Sequence, residues 1–121
     1  MNRPTILVVD DDRPWVQNIQ KRLGSHYLID TAPDLDEATK LLEKDNYILI
    51  IANSLYTKVL EVIQYRFPEK RVIVATSKPT PQEAIKMYDF GALDYFSKEF
   101  DEDVSTRTER AISIPFRASP A

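Results

Sequence analysis

The sequence predicts an α/β fold: a doubly wound, five-stranded parallel sheet with helices on both faces. Three observations carry that expectation. Short β-branched apolar runs recur, among them "ILVV" from Ile6, "YILIIA" from Tyr47 and "RVIVATS" from Arg71, and runs of this kind read as strands buried on both faces. The segments between them carry apolar residues at helical spacing behind recognisable caps. The strand-like runs end in polar residues, first and most plainly in the three aspartates Asp10, Asp11 and Asp12.

After the first strand, Asp12 is placed to cap a helix in which Pro14 sits in the first turn, where its missing N–H costs nothing. Val16, Ile19 and Leu23 supply its apolar stripe, and Gly24 is placed to end it. His26 to Thr31 reads as a short second strand. Asp34 and Glu37 have the capping-box spacing, and Leu35, Ala38, Leu41 and Leu42 form the stripe of a second helix. Tyr47 to Ala52 is the third strand, with Asn53 and Ser54 at its C-terminal end. Leu55, Val59, Val62 and Ile63 continue at helical spacing until Pro68 stops the third helix. The fourth strand ends at Thr76 and Ser77. Thr80, Pro81 and Glu83 combine an N-cap, a first-turn proline and a capping-box glutamate, so a fourth helix starts there and runs through Ala84, Ile85, Met87 and Tyr88 to Gly91. Leu93 to Phe96 is a fifth strand. A last helix is expected from Asp101, burying Val104, Ala111 and Ile112 and weakened by Ser105, Thr106 and Thr108. Residues 1–112 form one domain on this reading and 113–121 an irregular tail.

Composition narrows the function. A chain of 121 residues holds one core. A net charge of −3 argues against nucleic acid or an acidic membrane as a partner held by bulk electrostatics. There is no cysteine, so disulfides, thiolate metal sites and cysteine nucleophiles are excluded, in keeping with a reducing cytoplasm. No apolar stretch is long enough for a signal core or a membrane span. With only two glycines, Gly24 and Gly91, the chain has no Gly-rich phosphate loop, which disfavours a nucleotide or flavin binder. His26 has no neighbours that suggest catalysis or metal binding and reads as structural.

Five strands alternating with helices require right-handed crossovers, and a chain of this size favours the flavodoxin-like strand order 2-1-3-4-5. In that order the first and third strands are central neighbours. Asp10 and Asp11 then converge with Asn53 at the C-terminal edge, flanked by Thr76 and Lys98. Ligands bind at that edge in open α/β sheets.

These residues resemble the receiver domain of two-component response regulators, from "ILVVDDD" through "VIVATS" to "GALDYFSK". The resemblance implies an acidic pair, Asp10 and Asp11, for Mg²⁺. It implies a hydroxyl, Thr76, and a lysine, Lys98, for a phosphoryl group, and a switch aromatic at Tyr95. It also implies a protein partner, kinase or effector, on the face of the fourth helix, fifth strand and fifth helix. Ile85, Tyr88, Tyr95 and Phe96 are the expected residues of that face, which receivers also use to form homodimers.

Three departures change the expectation. The phosphoacceptor position holds Asn53, whose amide is not a nucleophile and brings no charge to a metal. The Asn53 to Thr76 interval is several residues shorter than usual and lacks the family's Pro- and Gly-containing loop. Glu99 follows Lys98 where the family commonly has a cis proline, so a trans turn is expected there. The sequence therefore points to a non-enzymatic, pseudo-receiver signalling module that binds Mg²⁺ weakly or not at all and acts through a partner. The alternative is a Mg²⁺-dependent receiver that accepts or hydrolyses phosphoryl groups through another residue, Asp10, Asp11 or Ser54. In the degenerate pocket the Asn53 amide and Lys98 are expected to bond Asp10 or Asp11.

Overall fold

A computed structural model describes residues 3–54 and 57–115 of the chain. Leu55, expected in the third helix, lies outside the described residues, as does most of the tail. The elements are β1 (Thr5–Val9), α1 (Arg13–Leu23), β2 (Leu28–Ala32), α2 (Leu35–Lys44), β3 (Leu49–Asn53), α3 (Thr57–Arg66), β4 (Val72–Thr76), α4 (Pro81–Asp89), β5 (Asp94–Ser97), a 3₁₀ turn η1 (Lys98–Asp103) and α5 (Val104–Ser113). The strands are all parallel in the order β2-β1-β3-β4-β5.

Strand alternation divides the core between two faces. Leu7, Val9, Ile50, Ala52, Val72 and Val74 point toward α2, α3 and α4, where they meet Ala38, Leu42, Val59, Leu60, Ile63 and Met87. Ile6, Val8, Leu49, Ile51, Ile73 and Ala75 point the other way, onto Trp15, Ile19, Leu23, Val104 and Ala111 of α1 and α5. All the residues of β3 and β4 are buried, the pattern of central strands in a parallel sheet covered on both sides.

The caps form as the sequence requires. Asp12 accepts from Trp15 N, Asp34 from Glu37 N and Thr80 from Glu83 N, each satisfying an amide that the helix leaves open. Gly91, just beyond α4, has φ of 93°, a left-handed conformation that disfavours residues with a Cβ.

Five expectations shift, one of them β5, which runs from Asp94 to Ser97 where Leu93 to Phe96 is expected. β2 begins at Leu28, because His26 and Tyr27 donate their amides to Leu23 O and so finish the turn out of α1. β3 begins at Leu49 and includes Asn53, which pairs in register with Ala75. The final helix starts at Val104, after a 3₁₀ turn that already begins at Lys98. Its burial falls on Val104, Thr108 and Ala111, with Ile112 half-buried. This weak helix is held by tertiary contacts: Arg107 makes two hydrogen bonds to Asp94, of 2.9 and 2.8 Å, and its guanidinium lies 4.7 Å from the Phe96 ring centroid.

One buried phenol gives the fold a pH signature. Tyr47 donates to Asp30 Oδ2 at 2.8 Å. Burial first, then that hydrogen bond, push its ionisation above the ordinary value of 10.0. The unfolded chain ionises this tyrosine at lower pH than the folded one, so its contribution is complete below about pH 10 and is lost as pH rises beyond that value. Alkaline denaturation followed by circular dichroism should show a shallower loss of stability for Tyr47→Phe than for the wild type. Equal slopes would assign the loss to other groups.

Candidate functional site

The C-terminal edge of the sheet collects the polar residues that end the strands. Val9 pairs with both Ala32 and Ala52, and Thr76 with Ser97, so Asp10, Asn53, Thr76 and Lys98 emerge side by side. Asp10, Asn53, Ser54 and Thr76 are all buried.

Asp10 is the centre of the cluster. Its Oδ1 accepts from the Asp12 backbone N–H at 3.0 Å and from the Asn53 side-chain amide at 3.3 Å. Its Oδ2 forms an ion pair with Lys98 Nζ at 2.8 Å. The lysine also donates to Asp12 Oδ2 at 3.1 Å. The expected links from Asn53 and Lys98 to Asp10 are therefore present. The second aspartate that receives Lys98 is Asp12, whereas Asp11 is exposed and stands outside the cluster. Asp12 has two roles that the sequence separates poorly: Oδ1 caps α1 and Oδ2 holds Lys98. The Lys98 hydrogen bond is the main cause that holds the Asp12 carboxyl below its ordinary ionisation range.

The hydroxyls form a second group. Ser54 Oγ donates to Thr76 Oγ1 at 3.0 Å, and Thr76 Oγ1 also accepts from the Lys78 amide at 3.2 Å. Tyr95 Oη donates to Glu83 Oε1 at 2.6 Å and accepts from the Thr80 amide at 3.1 Å. The reciprocal half of the α4 capping box is thus made by Tyr95 in place of the Glu83 side chain, which ties β5 to the start of α4. Burial first, and the Glu83 carboxylate second, push the Tyr95 phenol above its ordinary ionisation range.

The groups that face Asp10 do not favour Mg²⁺. That ion requires near-octahedral oxygen ligands, and here the buried carboxylate faces an ammonium, a backbone N–H and the donor end of an amide. Among the described residues no three His, Cys, Asp or Glu side chains are grouped to hold a metal. The peptide bond into Glu99 is trans, and Glu99 N donates to Ser97 Oγ at 3.2 Å within the rebuilt turn.

One residue expected on the partner face, Phe96, is not at the surface. Ile85 and Tyr88 of α4 are 64% and 49% exposed, but Phe96 is 3% exposed and packs 6.4 Å from Trp15, ring to ring. Adjacent residues of a strand point to opposite faces, so Tyr95 and Phe96 cannot share one surface. Sequence reasoning also missed Asn18 and Asp101, whose pairing across the chain has no local signal. No helix among the described residues is long and apolar enough to cross a membrane.

The model of the response regulator receiver domain matches residues 6–108. Photosynthetic apparatus regulatory protein RegA of Cereibacter sphaeroides is 26% identical over 108 residues, covering 84% of this chain but only 59% of its own length. Among solved structures, the signal receiver domain of an HD domain-containing protein from Pseudomonas fluorescens Pf-5 matches with a TM-score of 0.83 at 25% identity, over 92% of this chain and 95% of that one. The non-phosphorylated HemR receiver domain from Leptospira biflexa matches with a TM-score of 0.86 at 23% identity, over 96% and 99% of the two chains. The strand order, the polar edge and the match over most of the sequence lead to one conclusion: the chain belongs to the response regulator receiver domain family of two-component signalling.

Proposed function

We propose that this receiver carries its signal by binding a protein partner, kinase or effector, and not by accepting a phosphoryl group at Asn53. The observation that carries the reading is Asn53 itself. Its amide stands at the acceptor position, has no nucleophilic oxygen anion, and donates to Asp10. Lys98, the residue that would meet a phosphoryl group, is already paired with Asp10 and Asp12. Ser54 does not support acceptance by another residue, because its hydroxyl donates to Thr76, which is not a base, and among the described residues no carboxylate or histidine is seen bonded to it. The exposed Ile85 and Tyr88 of α4 are the apolar residues that a partner would cover.

The test is incubation of the purified chain with Mg²⁺ and a small-molecule phosphodonor, followed by intact mass measurement. The expected result is an unchanged mass. A base-labile gain of one phosphoryl group would overturn the reading and favour a Mg²⁺-dependent receiver with a displaced acceptor.

A further inference from the structure

The turn that follows β5 is joined to α1 by charges of opposite sign at its two ends. At one end Lys98 is held by Asp10 and Asp12, and its ammonium lies 5.5 Å from the centroid of the Trp15 ring. At the other end Asp101 Oδ2 accepts from the Asn18 side-chain amide, and Oδ1 pairs with Arg22 at 3.6 Å. Trp15, Asn18 and Arg22 are spaced to lie on one stripe of α1, so the turn rests along a single helical face. The backbone of Asp101 is engaged as well, since its carbonyl accepts from Val104 N at the junction with α5. Between these anchors Phe100 has non-helical angles, φ −101° and ψ 46°, and is exposed, so the turn has no apolar anchor of its own at that residue.

We infer that η1 is an electrostatic clasp in which Asp101 is a positioning residue: seated on Asn18 and Arg22, it fixes where Lys98 stands as the resident counter-ion of Asp10 and Asp12. A lysine on a free turn would spread its ammonium over many rotamers at an entropic cost for each contact made. Anchoring the turn three residues away confines the lysine stem, and the ammonium then remains over Asp10 and Trp15. On the reading that this pocket takes no phosphoryl group, the clasp supplies the positive charge that keeps it in one state. The charges are complementary along the seam, with Asp12 and Arg22 on the α1 side facing Lys98 and Asp101 on the turn.

Trp15 is the sole tryptophan and reports the position of the ammonium directly. The experiment compares Trp15 emission in the full chain for the wild type, Asp101→Ala, Lys98→Met and the double variant. Asp101→Ala is expected to move the emission in the same direction as Lys98→Met and by at least half as much. In the Lys98→Met background the same Asp101 change is expected to have no effect. Arg22→Gln, a milder surface change, should give a smaller shift of the same sign and keeps the test available if Asp101→Ala fails to fold, and Asp10→Asn combined with Lys98→Met, which leaves no unpaired buried charge, serves as the lysine-free background if Lys98→Met alone fails to fold. Hydrogen exchange over residues 97–104 should quicken on the order of tenfold in Asp101→Ala, with the central strands unchanged. The clasp is overturned if the Asp101 and Arg22 variants leave the emission unchanged, or if the Asp101 shift is the same with and without Lys98, which is the behaviour of a merely structural loosening. No phosphodonor enters this experiment, so a phosphorylated wild type and an inert Asp101 are separate failures.

Discussion

Asn53→Asp is expected to make the stability of this protein depend on Mg²⁺. The new carboxylate would stand where the Asn53 amide now donates to Asp10 Oδ1 at 3.3 Å, replacing a hydrogen bond to a buried carboxylate by repulsion between two of them. Loss of a hydrogen bond to a charged group costs about 1.5–3 kcal/mol, and Lys98 alone would then neutralise Asp10, Asp12 and the new aspartate. In metal-free buffer the variant should therefore melt below the wild type. Mg²⁺ should reverse the loss, because two adjacent carboxylates are a suitable ligand pair for a hard cation. A site filled at about 100 times its Kd returns about 2.7 kcal/mol by linkage. Thermal melts across a Mg²⁺ series check this, with the wild type expected to be flat. A flat series for the variant as well would mean that the short connection after β3, or the turn at Glu99, excludes the metal even when the charge is restored.

Lys98→Met should be the most damaging single change at the site. The Asp10 side chain is 1% exposed and that of Lys98 11%, so removal of the ammonium leaves a buried carboxylate facing, among the described residues, the Asp12 and Asn53 amides and no cation. Breaking a buried pair from one side costs about 3–5 kcal/mol, much of a domain's stability of about 5–15 kcal/mol. Replacing both partners is expected to cost far less, since no uncompensated charge remains. Urea denaturation of Lys98→Met, Asp10→Asn and the double variant measures the coupling. If the double variant loses the sum of the single losses, Lys98 and Asp10 contribute independently and the pair is not the organising contact of the pocket.

The two variants test opposite sides of one balance. In Asn53→Asp the pocket has too much negative charge for its single lysine, and in Lys98→Met it has no cation at all. The native sequence lies between these states, with a neutral amide that donates to Asp10 and a lysine that pairs with it. An acceptor aspartate would add the charge that a metal then has to offset.

The strands were legible because a buried parallel sheet requires apolar runs of strand length, their order because five strands alternating with helices in a chain of this size favour one topology, and the helices because their caps satisfy amides that would otherwise be left open. That the Asn53 amide is not a nucleophile follows from residue chemistry and needs no coordinates, while the resemblance to receivers is what implies an acceptor at that position. Where the sequence reading failed, it failed on direction and distance. Asp11 and Asp12 are neighbours in the chain, and only the turn into α1 decides that Asp12 meets Lys98 while Asp11 faces solvent. Tyr95 and Phe96 are both aromatic, and only the sheet register decides that the first bonds Glu83 and the second packs on Trp15. Local pattern and residue type were enough for the sheet and its polar edge, and it is the family resemblance that makes Asn53 the position to test as a degenerate acceptor. The tertiary structure alone decided that Asp101 lies against Asn18 and Arg22, a pairing between residues far apart in the chain that exists only once α1 and the turn after β5 are packed together.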